Sequence, residues 1–172
     1  FITLSFLDLP NRLKEVEQQL EKNLKIAQKF TDKTKEGKIK ENQQERKRLE
    51  EEISFLKNHI DRGDSIVPLS GTLTIEFGKT SENLYAGMNE EFRHYQPAIP
   101  TWFETAQHSF ERGAETHNMG GIENNLEGGL INFKSKFNPT IEEFAGEFNY
   151  PTSSLYFLFN LAYKIRKKLR SR

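Results

Sequence analysis

The sequence predicts a mixed α/β (α+β) domain with one sheet, interrupted by a long antiparallel helical hairpin. Two observations carry this prediction. Residues 11–62 have the periodicity of a coiled coil, whereas the chain after Pro68 alternates short strand-like and helical segments. Residues 1–7 also alternate as a strand does. We therefore expect the hairpin to interrupt a sheet that begins before it and continues after it.

Two apolar seams predict the hairpin. The seam of the first limb consists of Leu13, Val16, Leu20, Leu24 and Ala27. The seam of the second limb consists of Ile39, Leu49, Ile53, Leu56 and Ile60. The polar segment 30–37 ends in a glycine and lets the chain reverse. Asn42 and Arg46 fall on the second seam, where a long parallel coiled coil needs aliphatic residues, so we favour an intramolecular coiled-coil hairpin about 35 Å long.

The predicted tip of the hairpin is basic. Five lysines surround the reversal, namely Lys29, Lys33, Lys35, Lys38 and Lys40. Only Asp32 and Glu36 oppose them, and a protruding cationic tip suits a phosphate backbone. Phe30 is the only aromatic residue nearby, so stacking on bases is not the expected mode. A solvated structural arm or an oligomer contact is the alternative interpretation.

The zero net charge conceals an asymmetry along the chain. Residues 65–149 contain twelve acidic and five basic residues. The end of the chain is basic, with Lys164, Arg166, Lys167, Lys168, Arg170 and Arg172. Such a tail favours an anionic partner, although a helix dipole also prefers cations in the last turn.

Cysteine is absent, which excludes disulfides, thiol nucleophiles and cysteine-based zinc sites and is compatible with a reducing cytoplasm. No apolar run approaches the roughly twenty residues that span a bilayer. Residues 1–7 are too short and uncharged for a signal peptide. Because the chain has no initiator methionine, we expect it to be a piece of a longer protein.

Further elements are predicted after the hairpin. They are a turn at 68–71, a strand at 72–77 with its partner at 84–88, a helix from Pro97 to Gly113, a short strand at 116–119, a short helix at 130–135, a strand at 141–148 and a closing helix from about 153 to 170. In the first of these helices, Trp102 or Phe103, Ala106 and Phe110 are expected to form the buried face.

Spacing alone assigns no chemistry. His59, His94, His108 and His117 show no metal-ligand spacing. The glycine pairs 120–121 and 128–129 lack the lysine of a phosphate loop, and no Gly-x-Ser-x-Gly elbow is present. The carboxylates of Glu142, Glu143 and Glu147 are expected on a strand, where neighbours point to opposite faces. These observations leave an unassigned domain with a basic arm.

A motif near the end of the chain is more informative. Residues 128–139, Gly-Gly-Leu-Ile-Asn-Phe-Lys-Ser-Lys-Phe-Asn-Pro, precede Phe-Ala-Gly-Glu-Phe at 144–148. This run resembles the closing signature of the Fem family of nonribosomal peptidyltransferases, including its MurM-like branch. Tyr-Ala-Gly at 85–87, residues 89–94, Gln-Pro at 96–97 and residues 117–121 fall in the family's order. Many members also insert an antiparallel coiled coil into their second acetyltransferase-like domain.

The resemblance implies an acetyltransferase-like (GNAT-like) mixed sheet formed by residues 1–8 and 65–172, with residues 9–64 as the inserted arm. The family's first domain has no counterpart here, so the fragment alone is expected to be inactive. A small-molecule acetyltransferase is disfavoured because the coenzyme A loop, Gln/Arg-x-x-Gly-x-Gly/Ala, is missing.

The implied function is transfer of an amino acid from aminoacyl-tRNA to the stem peptide of a lipid-linked or UDP-linked muramyl-pentapeptide precursor. This reaction builds the interpeptide bridge of the cell wall and is linked to β-lactam resistance in the family. It requires no cofactor and takes place in the cytoplasm. A peripheral contact between the basic tail and an anionic membrane face is a further hypothesis.

The resemblance also implies site residues. Lys134 matches the family's lysine at the catalytic and substrate-binding centre, Phe133 shapes the pocket, and Tyr85 lies near the same centre. The five tip lysines are the expected tRNA-binding residues. Without the resemblance, Phe133 is a core residue, Lys134 a solvent-facing helix residue and Tyr85 an ordinary strand residue. The alternative function is a non-catalytic coiled-coil interaction module on an acetyltransferase-like domain.

Overall fold

A computed structural model describes residues 1–122, 127–143, 145–146, 148, 150–153 and 155–170. Phe144 and Glu147 of the closing signature and Arg172 of the basic tail lie outside the described residues. The chain divides into two compact units, residues 1–137 and residues 138–172, and each is described by itself.

The first unit confirms the mixed α/β class. Its sheet has the order β1-β2-β3-β4, with antiparallel pairing from β1 to β3 and parallel pairing of β3 with β4. The strands are β1 (Ile2–Asp8), β2 (Ile66–Phe77), β3 (Thr80–Met88) and β4 (Thr116–Asn118). The helices are α1 (Leu9–Ala27), α2 (Glu36–Asp61), α3 (Ala98–Glu111) and α4 (Gly129–Lys134), with 3₁₀ turns at Glu90–Tyr95 and Ser135–Phe137. In the second unit, α5 (Leu155–Arg170) is the predicted closing helix.

Helices α1 and α2 form the expected hairpin. Asp8 caps α1 by accepting a hydrogen bond from the Asn11 N–H at 3.0 Å. The reversal occupies residues 28–35, where the Thr31 N–H donates to the Thr34 hydroxyl at 2.9 Å. Gly37 therefore lies in the first turn of α2 and not at the reversal. No residue from 28 to 35 has a positive φ, so the chain does not need a glycine there.

The base of the hairpin joins the main core of the first unit. The buried residues of this core are Leu9, Val16, Leu49, Leu56, Val67, Leu69 and Phe92. A polar contact adds to it, because the buried Glu52 carboxylate accepts hydrogen bonds from Arg12 at 2.7 Å and from the Tyr95 hydroxyl at 3.0 Å. Burial and the neighbouring Glu52 charge raise the pKa of Tyr95 to about 12. The arm is thus anchored by apolar packing and by an ion pair at its root.

Farther from the base of the hairpin, the interface between α1 and α2 contains a polar layer. The side-chain amide of Asn23 donates to the backbone carbonyl of Asn42 at 3.2 Å, and that of Asn42 donates to the carbonyl of Asn23 at the same distance. Only one pairing of the two helices satisfies both bonds, so this layer favours a single register of the hairpin.

Helix α3 covers one face of the sheet through hydroxyl groups. Thr72 of β2 pairs with Thr105 of α3 at 2.7 Å between hydroxyl oxygens, and both residues are buried. Of the alternatives Trp102 and Phe103, Trp102 is the buried one. Phe110 is exposed, so the predicted apolar face of α3 is wrong at that position. The pattern favoured apolar residues, whereas the sheet presents hydroxyls that only polar partners satisfy.

Two predicted segments differ in the structure. Residues 68–71, expected as a turn, lie inside β2, where the register with β1 shifts next to Pro68. Pro68 has no N–H to donate to the ladder, and the register of the two strands is irregular beside it. Residues 141–143, 145–146 and 148 form no strand. An alternating pattern does not form a strand without a neighbouring strand to bond to.

Candidate functional site

The first unit contains a shallow cleft with a volume of about 210 Å³. It lies between the second half of β3, the loop that follows β4, and α4. Its lining residues are Asn83, Leu84, Tyr85, Ala86, Trp102, Met119, Gly120, Gly121, Leu130 and Lys134. Four segments, from β3, α3, the loop after β4 and α4, therefore meet around one opening, which makes it the candidate site.

Lys134 is the buried cation of this cleft, with only 5% of its surface exposed. Its Nζ donates to the carbonyl oxygens of Gly120 at 2.8 Å and Gly121 at 2.7 Å. The indole ring of Trp102 lies 5.8 Å away, measured to the ring centroid. An ammonium has three donors, so one remains for another acceptor. Burial lowers the pKa of Lys134 from its usual value, because an apolar surrounding disfavours the charged form.

No carboxylate of the described chain forms an ion pair with Lys134. Among the described residues, its charge is balanced by two carbonyl dipoles and an aromatic face. A group in this state attracts an anion or a developing negative charge more strongly than a solvated lysine does.

Local structure explains the position of this lysine. Ile131 and Lys134 are three residues apart on α4 and are both buried, which turns one face of the short helix inwards. Phe133 packs edge-on against Trp102, with ring centroids 5.3 Å apart, and against Phe137 at 5.6 Å. These aromatic contacts hold α4 against α3.

The backbone conformation at Gly120 restricts which residues the loop after β4 can hold there. Gly120 has a φ of +76°, a conformation that other residues rarely adopt, and a Cβ there would lie 3.5 Å from the Asn83 carbonyl oxygen. One of the two carbonyls that accept from Lys134 belongs to this left-handed glycine. Gly120 thus serves the cleft through its backbone conformation.

The residues expected from the resemblance occupy different places. Tyr85 and Lys134 line the same cleft, and Tyr85 is 73% exposed, so its hydroxyl is available to a ligand. Phe133 is partly buried and lies outside the cleft lining, where it supports Trp102. The sequence identified Trp102 only as a core residue. Trp102 is the single tryptophan of the chain, and this was the one feature of the sequence that could have indicated its role in the cleft.

Two further polar residues lie at or near the cleft, and no pattern in the sequence predicted their positions. Asn83 is buried, and its side-chain oxygen accepts from the Thr74 hydroxyl at 2.7 Å. His117 Nδ1 lies 2.8 Å from the Ser81 hydroxyl, on the strand that leads into the glycine loop. Burial lowers the pKa of His117, so its imidazole is neutral at neutral pH.

The five tip lysines are also exposed as expected, on the loop and on the first turns of α2. Within the described ranges, none of them is in an ion pair. Among the described residues, no group of three metal-ligating side chains comes together. None of the helices that the structure describes has the length and apolar character needed to cross a bilayer.

Comparison with known proteins gives consistent matches. The "Lipid II:glycine glycyltransferase" of Staphylococcus saprophyticus is 29% identical over 167 residues, which cover 94% of this chain and 39% of that protein. The "Aminoacyltransferase FemB" of Staphylococcus epidermidis is 31% identical over 90 residues, 49% of this chain and 22% of the relative. A solved structure, "Crystal structure of FemX", aligns with a TM-score of 0.45 and 24% identity over 76% of this chain and 36% of that chain.

The chain thus spans about two fifths of the length of the glycyltransferase that it matches. The family model that describes the FemAB family matches residues 1–164, nearly the whole sequence. On this match, the chain belongs to the FemAB family.

Proposed function

We propose that this chain is part of an aminoacyltransferase that moves an amino acid from aminoacyl-tRNA to the stem peptide of a lipid-linked or UDP-linked peptidoglycan precursor. Membership of the FemAB family and similarity to proteins named as a glycyltransferase and an aminoacyltransferase support the proposal. The observation that carries it is the buried Lys134 ammonium, held by two carbonyls beside an open cleft.

The proposed reaction is aminolysis of an ester. The acceptor amine attacks the carbonyl carbon of the aminoacyl ester, and negative charge develops on the carbonyl oxygen. The C–O bond to the tRNA ribose then breaks, and the ribose oxygen leaves with a proton that the amine has lost. Such a reaction needs orientation and stabilisation of the oxyanion, and it needs no nucleophile from the enzyme. The absence of cysteine is compatible with it.

Lys134 is suited to stabilise that oxyanion. Two of its donors are already directed at Gly120 and Gly121, which fixes the ammonium and leaves the third donor for the ligand. Trp102 excludes water from one side of the charge and strengthens its field. Because the partners of Lys134 are already in place, little reorganisation is needed when the charge develops.

Tyr85 is the proposed second ligand contact. Its hydroxyl can donate to a carbonyl or phosphate oxygen at the rim of the cleft. The cleft has a volume of about 210 Å³, below the roughly 300–1,000 Å³ of a typical ligand pocket. This is enough for an aminoacyl group and the attacking amine but not for a whole muramyl-pentapeptide. The rest of the precursor would bind outside the cleft.

The arm is the proposed tRNA contact. Its second helix has 26 residues, about 39 Å at 1.5 Å per residue, so the tip lies far from the sheet. The tip carries the five exposed lysines without carboxylate partners in the described chain. We also propose that residues 1–8 and 65–172 form an acetyltransferase-like domain. Residues 9–64, the arm, are inserted into it. The Leu9 N–H bonds to the Ser65 carbonyl at 2.9 Å, where the arm leaves and rejoins the sheet.

The proposed site of action is the cytoplasm, at the membrane that carries the lipid-linked precursor. Helix α5 exposes Lys164, Arg166, Lys167 and Lys168, which suits an anionic bilayer surface. Flotation with anionic and zwitterionic liposomes at low salt tests this contact. Equal recovery with both kinds of liposome would exclude it.

A transfer assay tests the function. The longer protein that contains this chain is given radiolabelled glycyl-tRNA and a muramyl-pentapeptide precursor. We expect Lys134→Met to lower the transfer rate by about 10²-fold or more, and Tyr85→Phe by about tenfold. The control is Lys136→Met, an exposed lysine two residues away, which should have no effect. Equal rates for Lys134→Met and Lys136→Met would remove the site assignment.

A binding assay tests the arm separately. We expect labelled tRNA to bind with an affinity that falls steeply with salt, and to lose affinity when the five tip lysines become glutamine. The control replaces Lys14, Arg46, Lys47, Lys57 and Arg62 by glutamine, five cations on the helical shafts and at the base of the arm. Equal loss in both variants, or no binding at low salt, favours the interaction-module alternative for the arm.

A further inference from the structure

The side-chain amide of Asn83 is a polar group of the cleft that the proposed function does not use. Asn83 is 6% exposed and lines the cleft together with Lys134. Its Oδ1 accepts from the Thr74 hydroxyl at 2.7 Å, whereas its Nδ2 is buried and has no hydrogen-bond partner among the described residues. A buried amide donor without a partner is costly and rare in folded proteins. A ligand that supplies an acceptor would remove this cost.

The bond to Thr74 fixes the direction of the free donor. Thr74 lies opposite Asn83 on β2, so Oδ1 is turned towards β2. The oxygen and the nitrogen of a side-chain amide diverge from the same carbon, so Nδ2 is directed away from β2. On that other side, the neighbour of β3 is β4 with the loop that follows it, and this loop lines the cleft. The free donor is therefore aimed at the cleft and not into the sheet.

Strand β3 loses its regular neighbours at Asn83. The register with β2 shifts next to this residue, which leaves Leu84 without an opposite residue. The pairing with β4 ends at Glu82 and Asn118. In the register of that parallel ladder, the next bond would join the Gly120 N–H to the Asn83 carbonyl. The Gly120 N–H donates instead to the Asn118 side-chain oxygen at 2.8 Å, so the ladder stops where the cleft begins.

Gly120 also leaves a space between Asn83 and Lys134. A Cβ at position 120 would lie 3.5 Å from the Asn83 carbonyl oxygen and 3.8 Å from the Lys134 Nζ. Both residues thus border one small volume that a side chain at position 120 would fill. Of the described residues that line the cleft, only Lys134 is charged. The ammonium suits a developing oxyanion, whereas a neutral amide N–H suits a carbonyl oxygen.

We propose that Asn83 is a substrate-binding residue of the transfer reaction and that its Nδ2 donates to a carbonyl oxygen of the substrate in the cleft. This inference rests on the proposed function and adds a contact that neither Lys134 nor Tyr85 provides. The carbonyl belongs to the aminoacyl ester of the donor or to an amide of the stem peptide. Because Nδ2 lies below the surface of the empty cleft, a lining side chain must shift to admit the oxygen, and the flexible Met119 is suited to do so.

Nuclear magnetic resonance of the longer protein, labelled with nitrogen-15 asparagine, tests the contact. The donor probe is a glycyl-adenosine analogue in which an amide replaces the ester, and the acceptor probe is the free stem pentapeptide. We expect the Asn83 side-chain signal, identified by its absence in Asn83→Leu, to move downfield with one of the two probes and to exchange more slowly with water. The probe that produces this response is the source of the carbonyl.

Substitution separates binding from folding. Asn83→Leu should raise the Kd of the responding probe about tenfold and lower kcat/KM for transfer by a similar factor. The Tm should stay within about 5 °C, because the variant also removes a buried donor without a partner. The matched control is Thr72→Val, a buried polar residue of the same sheet that does not line the cleft, and its Kd should stay within about twofold. If Asn83→Leu does not fold, Asn83→Ala is compared with Thr72→Ala.

Three results would overturn the inference. The first is an Asn83 signal that responds to neither probe. The second is a signal that already exchanges slowly in the ligand-free longer protein, because Nδ2 would then be bonded to protein or to an internal water. His117 Nε2, also buried without a described partner, is a group that such a water could bridge. The third is an equal Kd for Asn83→Leu and Thr72→Val.

Failure of the proposed function would have a different result. The native longer protein would then transfer no amino acid, whatever the response of the Asn83 signal. Normal transfer by Asn83→Leu, beside a large loss in Lys134→Met, would remove the role of Asn83 and leave the proposed function in place.

Discussion

The ammonium of Lys134 donates to the carbonyl oxygen of Gly120 at 2.8 Å, which connects α4 to the loop after β4. This bond relates a side chain to a backbone group fourteen residues earlier in the chain. The carbonyl is held there by a glycine with a positive φ. The electrostatics of the cleft therefore depend on backbone geometry as well as on the charged residue.

Replacement of Gly120 tests this relationship. We expect Gly120→Ala to lower the free energy of unfolding by about 1–2 kcal/mol, since alanine is strained at positive φ. Urea unfolding measures the loss. Gly121→Ala is the control, because its φ is not in the left-handed region and no atom lies within 4 Å of an added Cβ. Equal stability of the two variants would show that the loop adapts freely.

The root of the arm provides a second prediction. Glu52 is buried and accepts from Arg12, Arg48 and Tyr95, so Glu52→Gln leaves these donors without a carboxylate. Because both arginines are partly exposed to solvent, we expect a loss of about 2 kcal/mol in the free energy of unfolding. Glu45→Gln breaks an exposed pair and should cost less than about 0.5 kcal/mol. A similar cost for both would contradict this account.

The asparagine layer of the arm provides a third prediction. The Asn23 side-chain oxygen is buried without a hydrogen-bond partner among the described residues. Replacing Asn23 and Asn42 together by leucine removes this unsatisfied group and adds apolar contact, so the Tm should rise. The rise should come with weaker register, seen as broader amide signals of the arm. A lower Tm would mean that the two hydrogen bonds outweigh apolar packing.

Acidic pH should lower the free energy of unfolding through protonation of His117. Burial lowers its folded-state pKa below the unfolded value near 6.5, so the unfolded chain takes up the proton first. The free energy of unfolding therefore falls as the pH decreases from about 6.5 towards the folded-state pKa. The difference between the native chain and His117→Gln should change across this window, with the native chain losing relative stability. A constant difference between pH 7.5 and 5 would contradict the prediction.

The arm could be predicted from the sequence in most respects. Its two seams are repeats within single helices, and helix formation depends on near neighbours. Leu49 and Leu56 of the predicted seam are buried in the core. Apolar periodicity was wrong for Phe110, because residues that face the sheet on α3 are hydroxyl-bearing. Apolar periodicity cannot detect a polar interface.

The candidate site could be predicted from the sequence only in part. Lys134 and Tyr85 were identified by resemblance to a family, and they line one cleft. Trp102 and the two glycine carbonyls complete the surroundings of Lys134, although they precede it by thirteen to thirty-two residues. No spacing rule connects such positions, since their approach depends on how α3, β4 and α4 pack.

The sequence by itself determined the fold class, the helical hairpin with its basic tip, and the absence of cysteine chemistry. These properties follow from composition and from periodicity within single elements. Only the tertiary structure decided the polar contacts between α3 and the sheet, the register shift beside Pro68 and the buried state of Lys134. Each of these depends on contacts between segments distant in the chain, where burial and hydrogen bonding are set by the partner and not by the local sequence.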